Sequence, residues 1–356
     1  MNYQWKNSNG QMYLYAQADN HYELGVALGQ GLKKQIEAAI KIFSFQMNKL
    51  ENIPQAKEKI YAARKLYEKY ITDEYFDEVK GICDGYRKVS NEDVSVSDIM
   101  LHSYAIDLLN QAEVLSQGDM SGCTNFGVIN ADGSVVHGQN YDSDPKLSVC
   151  DSFVHHKIKG EPEMFLYRFG GGLGMAAGKN ETGTAMTVSV IKSNLKADIM
   201  TPRAVLLRNA MKKENAISVL KSMTDSQGRS PFSYNLVVSD SKTIAASQST
   251  PFETRITQVK RTIVQSNQYD YIDWVKYLKK PSYSKKRQMY GENILKNMLD
   301  RYGYITNEDL LEILRDKPII CRTAVGDGIG TTVLFLTRES FGHGNAMDNP
   351  AGKIPF

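Results

Sequence analysis

The chain has 356 residues, enough for one large α/β domain or two ordinary ones, and its 42% hydrophobic and 23% charged content is that of an ordinary globular protein. The net charge is only +3 and no lysine–arginine block stands out, so nothing demands a nucleic-acid or membrane-surface partner. Four cysteines without a C-x-x-C spacing suggest neither zinc nor a disulfide framework, and residues 1–16 carry no apolar signal core. The expectation is a reduced, cytoplasmic chain with no membrane span, metal or cofactor.

In chain order, the first 120 residues read as helical. Leu32, Ile36, Ile40, Phe43, Met47 and Leu50 step by three or four, as one face of an amphipathic helix does. Residues 55–72 and 73–85 repeat the pattern, and Asn91 and Ser97 look like caps before a helix over 98–110.

At Cys123 the pattern changes to alternation with Gly, Asn and Asp punctuation. Hairpins are predicted over 123–141, 152–169, 174–191 and 234–247, with further strand over 255–265. Residues 202–223 are helical and broken near Lys213; helices follow over 285–302 and 307–315, and Thr331–Thr337 is a last strand. Successive hairpins build antiparallel sheet, so the simplest packing is antiparallel sheets covered by helices in layers. Lys279-Lys280 and Lys285-Lys286-Arg287 read as a solvated loop and helix start. Gly170-Gly171-Gly172-Leu173-Gly174 lacks the order of a phosphate loop and reads as a mobile loop near a pocket.

Cys83, Cys150 and Cys321 read as small buried hydrophobes. Cys123 differs. Gly122 precedes it, Thr124 and Asn125 follow it, and the return strand ends in Gly138-Gln139-Asn140-Tyr141-Asp142, which brings Asp142 near the thiol. A cysteine nucleophile needs a base. Of the six histidines, His137 has the wrong strand parity to share a face with Asp142, and His155 and His156 point to opposite faces. A Cys/His dyad is one alternative; the other base is the α-amino group of Cys123, which exists only if the Gly122–Cys123 bond is cut, and such an amine titrates at about 7.7–8.0.

S-G-C-T-N-F-G-V-I-N-A-D-G followed by G-Q-N-Y-D resembles the N-terminal-nucleophile cysteine hydrolases, most closely the branch similar to acyl-CoA:isopenicillin N acyltransferase. Penicillin V acylase, bile salt hydrolase and acid ceramidase are more distant relatives. H-Y-E-L-G-V-A-L-G-Q, V-K-G-I-C-D-G, G-K-N-E-T-G, Y-N-L-V-V-S-D, V-Q-S-N-Q-Y and I-C-R extend the likeness over nearly the whole chain.

The resemblance implies an α+β fold, a four-layer αββα sandwich, made as a precursor that cuts itself between Gly122 and Cys123. Residues 1–122 would form one subunit and 123–356 the catalytic other. It implies Cys123 as nucleophile, Asp142 orienting its amine and Asn267 donating to the oxyanion. Asn235, Gln139, Asn140 and Arg322 are candidates for supporting or substrate-binding roles. Gln139 stands where bile salt hydrolases carry arginine, and Ser266 and Gln268 stand where histidines often flank the asparagine. The implied activity is cleavage or transfer of an acyl group at a small non-peptide amide, with no cofactor beyond an acyl donor and with possible self-assembly. A lipid-amide hydrolase and an unprocessed binding protein are the alternatives.

Overall fold

The structure, a computed structural model, describes residues 1–8, 11–49, 56–104, 122–143, 145–195, 201–224, 232–278, 283–321, 330–336 and 344–347. It opens with a hairpin, β1 (Asn2–Ser8) and β2 (Gln11–Ala18), where sequence periodicity suggested only helices. Helices α1 (His21–Gly31), α2 (Lys33–Lys49), α3 (Ala56–Tyr67), α4 (Asp73–Arg87) and α5 (Val96–Ser103) follow. Ser95, not Ser97, caps α5, in a reciprocal capping box with Asp98.

The four expected hairpins are present: β3 (Gly122–Ile129) with β4 (Val135–Ser143), β5 (Asp151–Ile158) with β6 (Met164–Phe169), β7 (Ala177–Asn180) with β8 (Ala185–Ile191), and β9 (Ser233–Ser239) with β10 (Ile244–Ser249). Between β8 and β9 lie α6 (Arg203–Met211) and α7 (Ala216–Ser222). The stretch expected as one strand over 255–265 is two, β11 (Thr254–Val259) and β12 (Thr262–Gln265), and they belong to different sheets. A short α8 (Ile272–Val275), then α9 (Tyr283–Tyr302) and α10 (Asn307–Arg315), precede β13 (Gly330–Leu336) and β14 (Gly344–Met347).

Nine strands form one sheet in the order β1-β2-β5-β6-β7-β8-β9-β10-β11, and five form the other, β12-β3-β4-β13-β14. All named pairings are antiparallel except β2 with β5, which is parallel. Strand parity assigns the faces. Phe126, Val128, Val136 and Val264 point outward from the small sheet and pack on Leu295, Leu299 and Leu310 of α9 and α10. Val135, Val237, Ile244, Ala246 and Val259 fill the space between the sheets. Val154, Ile158, Leu166 and Met186 face outward from the large sheet into its helices. The layers are therefore helix, sheet, sheet, helix.

Two glycine pairs set the closest helix crossing. A Cβ on Gly25 would lie 2.1 Å from the Glu78 carbonyl oxygen, and one on Gly85 would lie 2.2 Å from that of Val26. Gly29 and Gly81 are equally tight against α4 and α1. This is the small-xxx-small spacing that lets two helix backbones touch. It places Glu78 at the centre of a buried ion cluster: Arg168 donates at 2.9 Å, Arg208 at 2.8 Å, and the His21 ring lies at 2.8 Å. Among the described residues, no helix is long and apolar enough to cross a membrane.

Candidate active site

Cys123 is the second residue of β3, opposite Tyr141 of β4, and its side chain shares the face between the two sheets with Asn125. Asp142 pairs instead with Gly122, one position along. The expected neighbourhood of Cys123 and Asp142 is present, offset by one residue, and both are buried. The Cys123 main-chain nitrogen donates to Asn267 Oδ1 at 2.5 Å. The Asn267 amide nitrogen donates to the Val190 carbonyl at 2.8 Å, which fixes which end of the carboxamide faces the cysteine.

Asn267 lies just past β12, on a segment clamped from three directions. The Asn235 amide nitrogen donates to the carbonyls on both sides of it, Ser266 at 2.6 Å and Gln268 at 2.9 Å. Ser266 Oγ donates to the Ser284 carbonyl at 2.9 Å, and the Ser266 main-chain nitrogen donates to Gln288 Oε1 at 3.2 Å. Both anchors sit at the start of α9. A fourth group completes the site. Arg287 Nη2 donates to Asn267 Oδ1 at 2.7 Å and to the Cys123 carbonyl at 3.3 Å, while its Nε donates to Thr124 Oγ1 at 3.2 Å.

The thiol is not activated by its surroundings. Burial pushes it up to about 11 and the Asp142 carboxylate adds to the rise, against the pull of Arg287 and Asn267. Cys83 is pushed to about 11 and Cys150 to about 12, also by burial. Cys123 differs from them by its partners and not by its ionisation.

A family model, acyl-coenzyme A:6-aminopenicillanic acid acyl-transferase, matches residues 129–337, more than half of the chain. The chain belongs to this family. It is thereby an N-terminal-nucleophile hydrolase relative, and its four layers are that fold. No curated protein matches. Among solved structures, the Caenorhabditis elegans ortholog of N-acylethanolamine-hydrolyzing acid amidase is similar at 14% identity and TM-score 0.46, over 61% of this chain and 98% of that one. A mutant of conjugated bile acid hydrolase from Clostridium perfringens is similar at 13% and 0.43, over 65% and 95%. Penicillin V acylase from Agrobacterium tumefaciens is similar at 11% and 0.40, over 64% and 91%.

Of the candidate site residues, Gln139, Asn140, Asp142, Asn235, Asn267, Arg287 and Arg322 fall within the matched stretch, and Gly122 and Cys123 lie just before it. Gln139 and Asn140 make contacts of their own. Gln139 is on the face between the sheets and donates to the Val188 carbonyl at 2.7 Å. Asn140 points to the opposite face and donates to the Leu314 and Ile320 carbonyls at 2.7 and 3.0 Å, tying down the end of α10. Arg322 lies outside the described residues. His137 is between Ser239 and Thr187 hydroxyls, and burial holds it down at about 3, so it is no base for Cys123.

Two readings of the sequence are corrected here. Gly170, Gly171 and Gly172 are buried, not a free loop: Arg168 donates to the Gly172 carbonyl at 2.6 Å, and a Cβ on Gly170 would strike Ala39 and His102. Arg287, read as part of a solvated basic run, is 2% exposed. Its signal was present: Arg287, Gly291, Leu295 and Leu299 recur every four residues, so the arginine lies on the inward stripe of α9. A Cβ on Gly291 would lie 2.9 Å from the Phe126 ring, and this close approach brings Arg287 over the start of β3.

His21, Glu74 and Glu161 are the one described cluster with metal-ligand geometry. The Lys212 ammonium already lies 3.2 Å from Glu74 and 2.6 Å from Glu161.

Proposed function

We propose that the chain cuts itself between Gly122 and Cys123 and then acts as a cysteine amidohydrolase or acyltransferase on small N-acyl amides. The Cys123 thiol attacks the substrate carbonyl and forms a thioester. Water or an acceptor amine then takes the acyl group. The new α-amine of Cys123, close to physiological pH in its titration, carries the proton from thiol to leaving nitrogen. Asp142, paired beside it at the strand end, holds that amine. Arg287 meets the developing negative charge, a role worth a factor of about 10²–10³ in rate for a single donor. Asn267 turns its Oδ1 to the Cys123 nitrogen and spends its amide nitrogen on Val190, so it serves as an acceptor for that amine and not as the oxyanion donor the resemblance implied.

The observation that carries this reading is the convergence of the Cys123 nitrogen and the Arg287 guanidinium on Asn267 Oδ1, at 2.5 and 2.7 Å, across 144 residues of sequence. Any buried main-chain nitrogen needs an acceptor; here the acceptor also holds a buried guanidinium that reaches the Cys123 carbonyl. The test is to quench a reaction with an N-acyl amide substrate in acid and weigh the fragments. An acyl adduct on the fragment beginning at Cys123, absent in Cys123→Ala, is expected. Turnover that persists in Cys123→Ala would rule the mechanism out. A panel of N-acyl amino acids, penicillins and fatty acyl amides then defines the substrate.

A further inference from the structure

Gly122 lies in extended backbone that any residue adopts, so its lack of a side chain has a cause other than φ. A Cβ built on it would stand 2.8 Å from both terminal nitrogens of Arg287 and 2.9 Å from Cζ. A guanidinium at the end of a free side chain would swing away at little cost. This one is buried and bonded to Thr124, the Cys123 carbonyl and Asn267. It cannot retreat from a side chain at position 122 without releasing Asn267, and Asn267 is the group that holds the Cys123 nitrogen.

We propose that Gly122 is the residue that licenses self-cleavage: its bare Cα leaves the space in which Arg287 lies against the scissile peptide. This rests on the self-cleavage reading above. In the step itself, Cys123 Sγ bonds to the Gly122 carbonyl carbon and the Gly122–Cys123 C–N bond breaks. The thiol proton ends on the departing nitrogen, which becomes the free amine. Water then hydrolyses the thioester, giving the Gly122 carboxylate and restoring the thiol. Charge gathers on the Gly122 carbonyl oxygen during the attack, on the carbonyl joined to the Cα against which the guanidinium is fixed. Once the bond is cut, position 122 is no longer attached to the nucleophile, and its identity ceases to matter to catalysis.

Gly122→Ala and Gly122→Val separate this role from folding and from turnover. Cleavage followed by intact mass at neutral pH is expected to slow by about tenfold in Gly122→Ala and about a hundredfold in Gly122→Val, the loss expected when one preorganised donor is displaced. The fraction that does cut should turn over substrate as wild type does, per titrated Cys123. In a Cys123→Ala background, which stays uncut, adding Gly122→Ala should shift the melting temperature by less than about 1 °C, under one kcal/mol for a chain of this size. Wild-type cleavage rates in both variants would overturn the proposal, as would a slowing that tracks lost melting temperature. A wild-type chain that never cuts removes the self-cleavage reading itself, a separate result.

Discussion

Under the proposed mechanism Asn235 acts on Cys123 through Asn267. Its amide grips the two carbonyls that flank Asn267 and is itself wholly buried, so it is a positioning residue with no part in the bond changes. Asn235→Ala is expected to lower kcat by about tenfold or more with KM changed by less than about twofold, because Asn267 drifts while the substrate pocket stays. Steady-state kinetics on the mature enzyme checks this; a KM effect with unchanged kcat would place Asn235 in substrate binding instead. The nearness of Cys123 and Asp142 was legible from the sequence as the two ends of one hairpin, while Asn267 came only from the resemblance of V-Q-S-N-Q-Y. Arg287 was not, since a basic run at a helix start usually faces water. Only its phase with Gly291 and Leu295 betrays the inward direction. The roles of Gln139 and Asn140 were illegible for another reason. Each spends its amide on a distant main-chain carbonyl, and such long-range hydrogen bonds leave no local pattern.

The hairpins were the most readable elements, because alternation and turn residues are local signals. Helix α1 lies in the stretch read as helical but had no pattern that set its bounds. Gly25 and Gly29 depress its helical propensity, and that weakness is the condition for its tight crossing with α4. The opening hairpin was missed because β1 is a polar edge strand with no buried face of its own to announce it. Strands β11 and β12 were merged because the break at Lys260 and Arg261 is where the chain passes from the edge of one sheet to the edge of the other. Sequence records the continuing β pattern and not the change of partner. That crossing matters to the site, since it sends the chain along β3 and delivers Asn267 to Cys123.

The whole molecule is joined across position 122 by the ion cluster at Glu78. Its His21 and Glu78 precede the proposed cut, and Arg168, Arg208, Glu161 and Lys212 follow it. Burial alone would raise the Glu78 carboxyl, but Arg208, Arg168 and His21 hold it well below 4.5. Against the same opposing burial, His21 and Lys212 hold Glu161 down at about 2. Depressed carboxyls stabilise the fold above their unfolded range, and that contribution is lost as pH falls toward about 2. His21 has the opposite sign. Burial opposes its charge, but Glu161 and Glu78 raise its pKa, so its contribution is present below 6.5 and fades as pH rises through the raised value. Glu78→Gln should cost about 3–5 kcal/mol at mildly acidic pH by leaving two arginines buried without their anion, and should flatten the acid limb of melting temperature against pH. An unchanged acid limb would move the acid sensitivity elsewhere.

The mechanism proposed for this site requires that Cys123 become a chain start. Intact-mass measurement of freshly purified wild type, with sequencing of any new N-terminus, decides it. Two fragments meeting at Gly122 and Cys123, and a single chain in Cys123→Ala, are the predicted result. A wild-type chain that remains whole after long incubation at neutral pH would contradict the account.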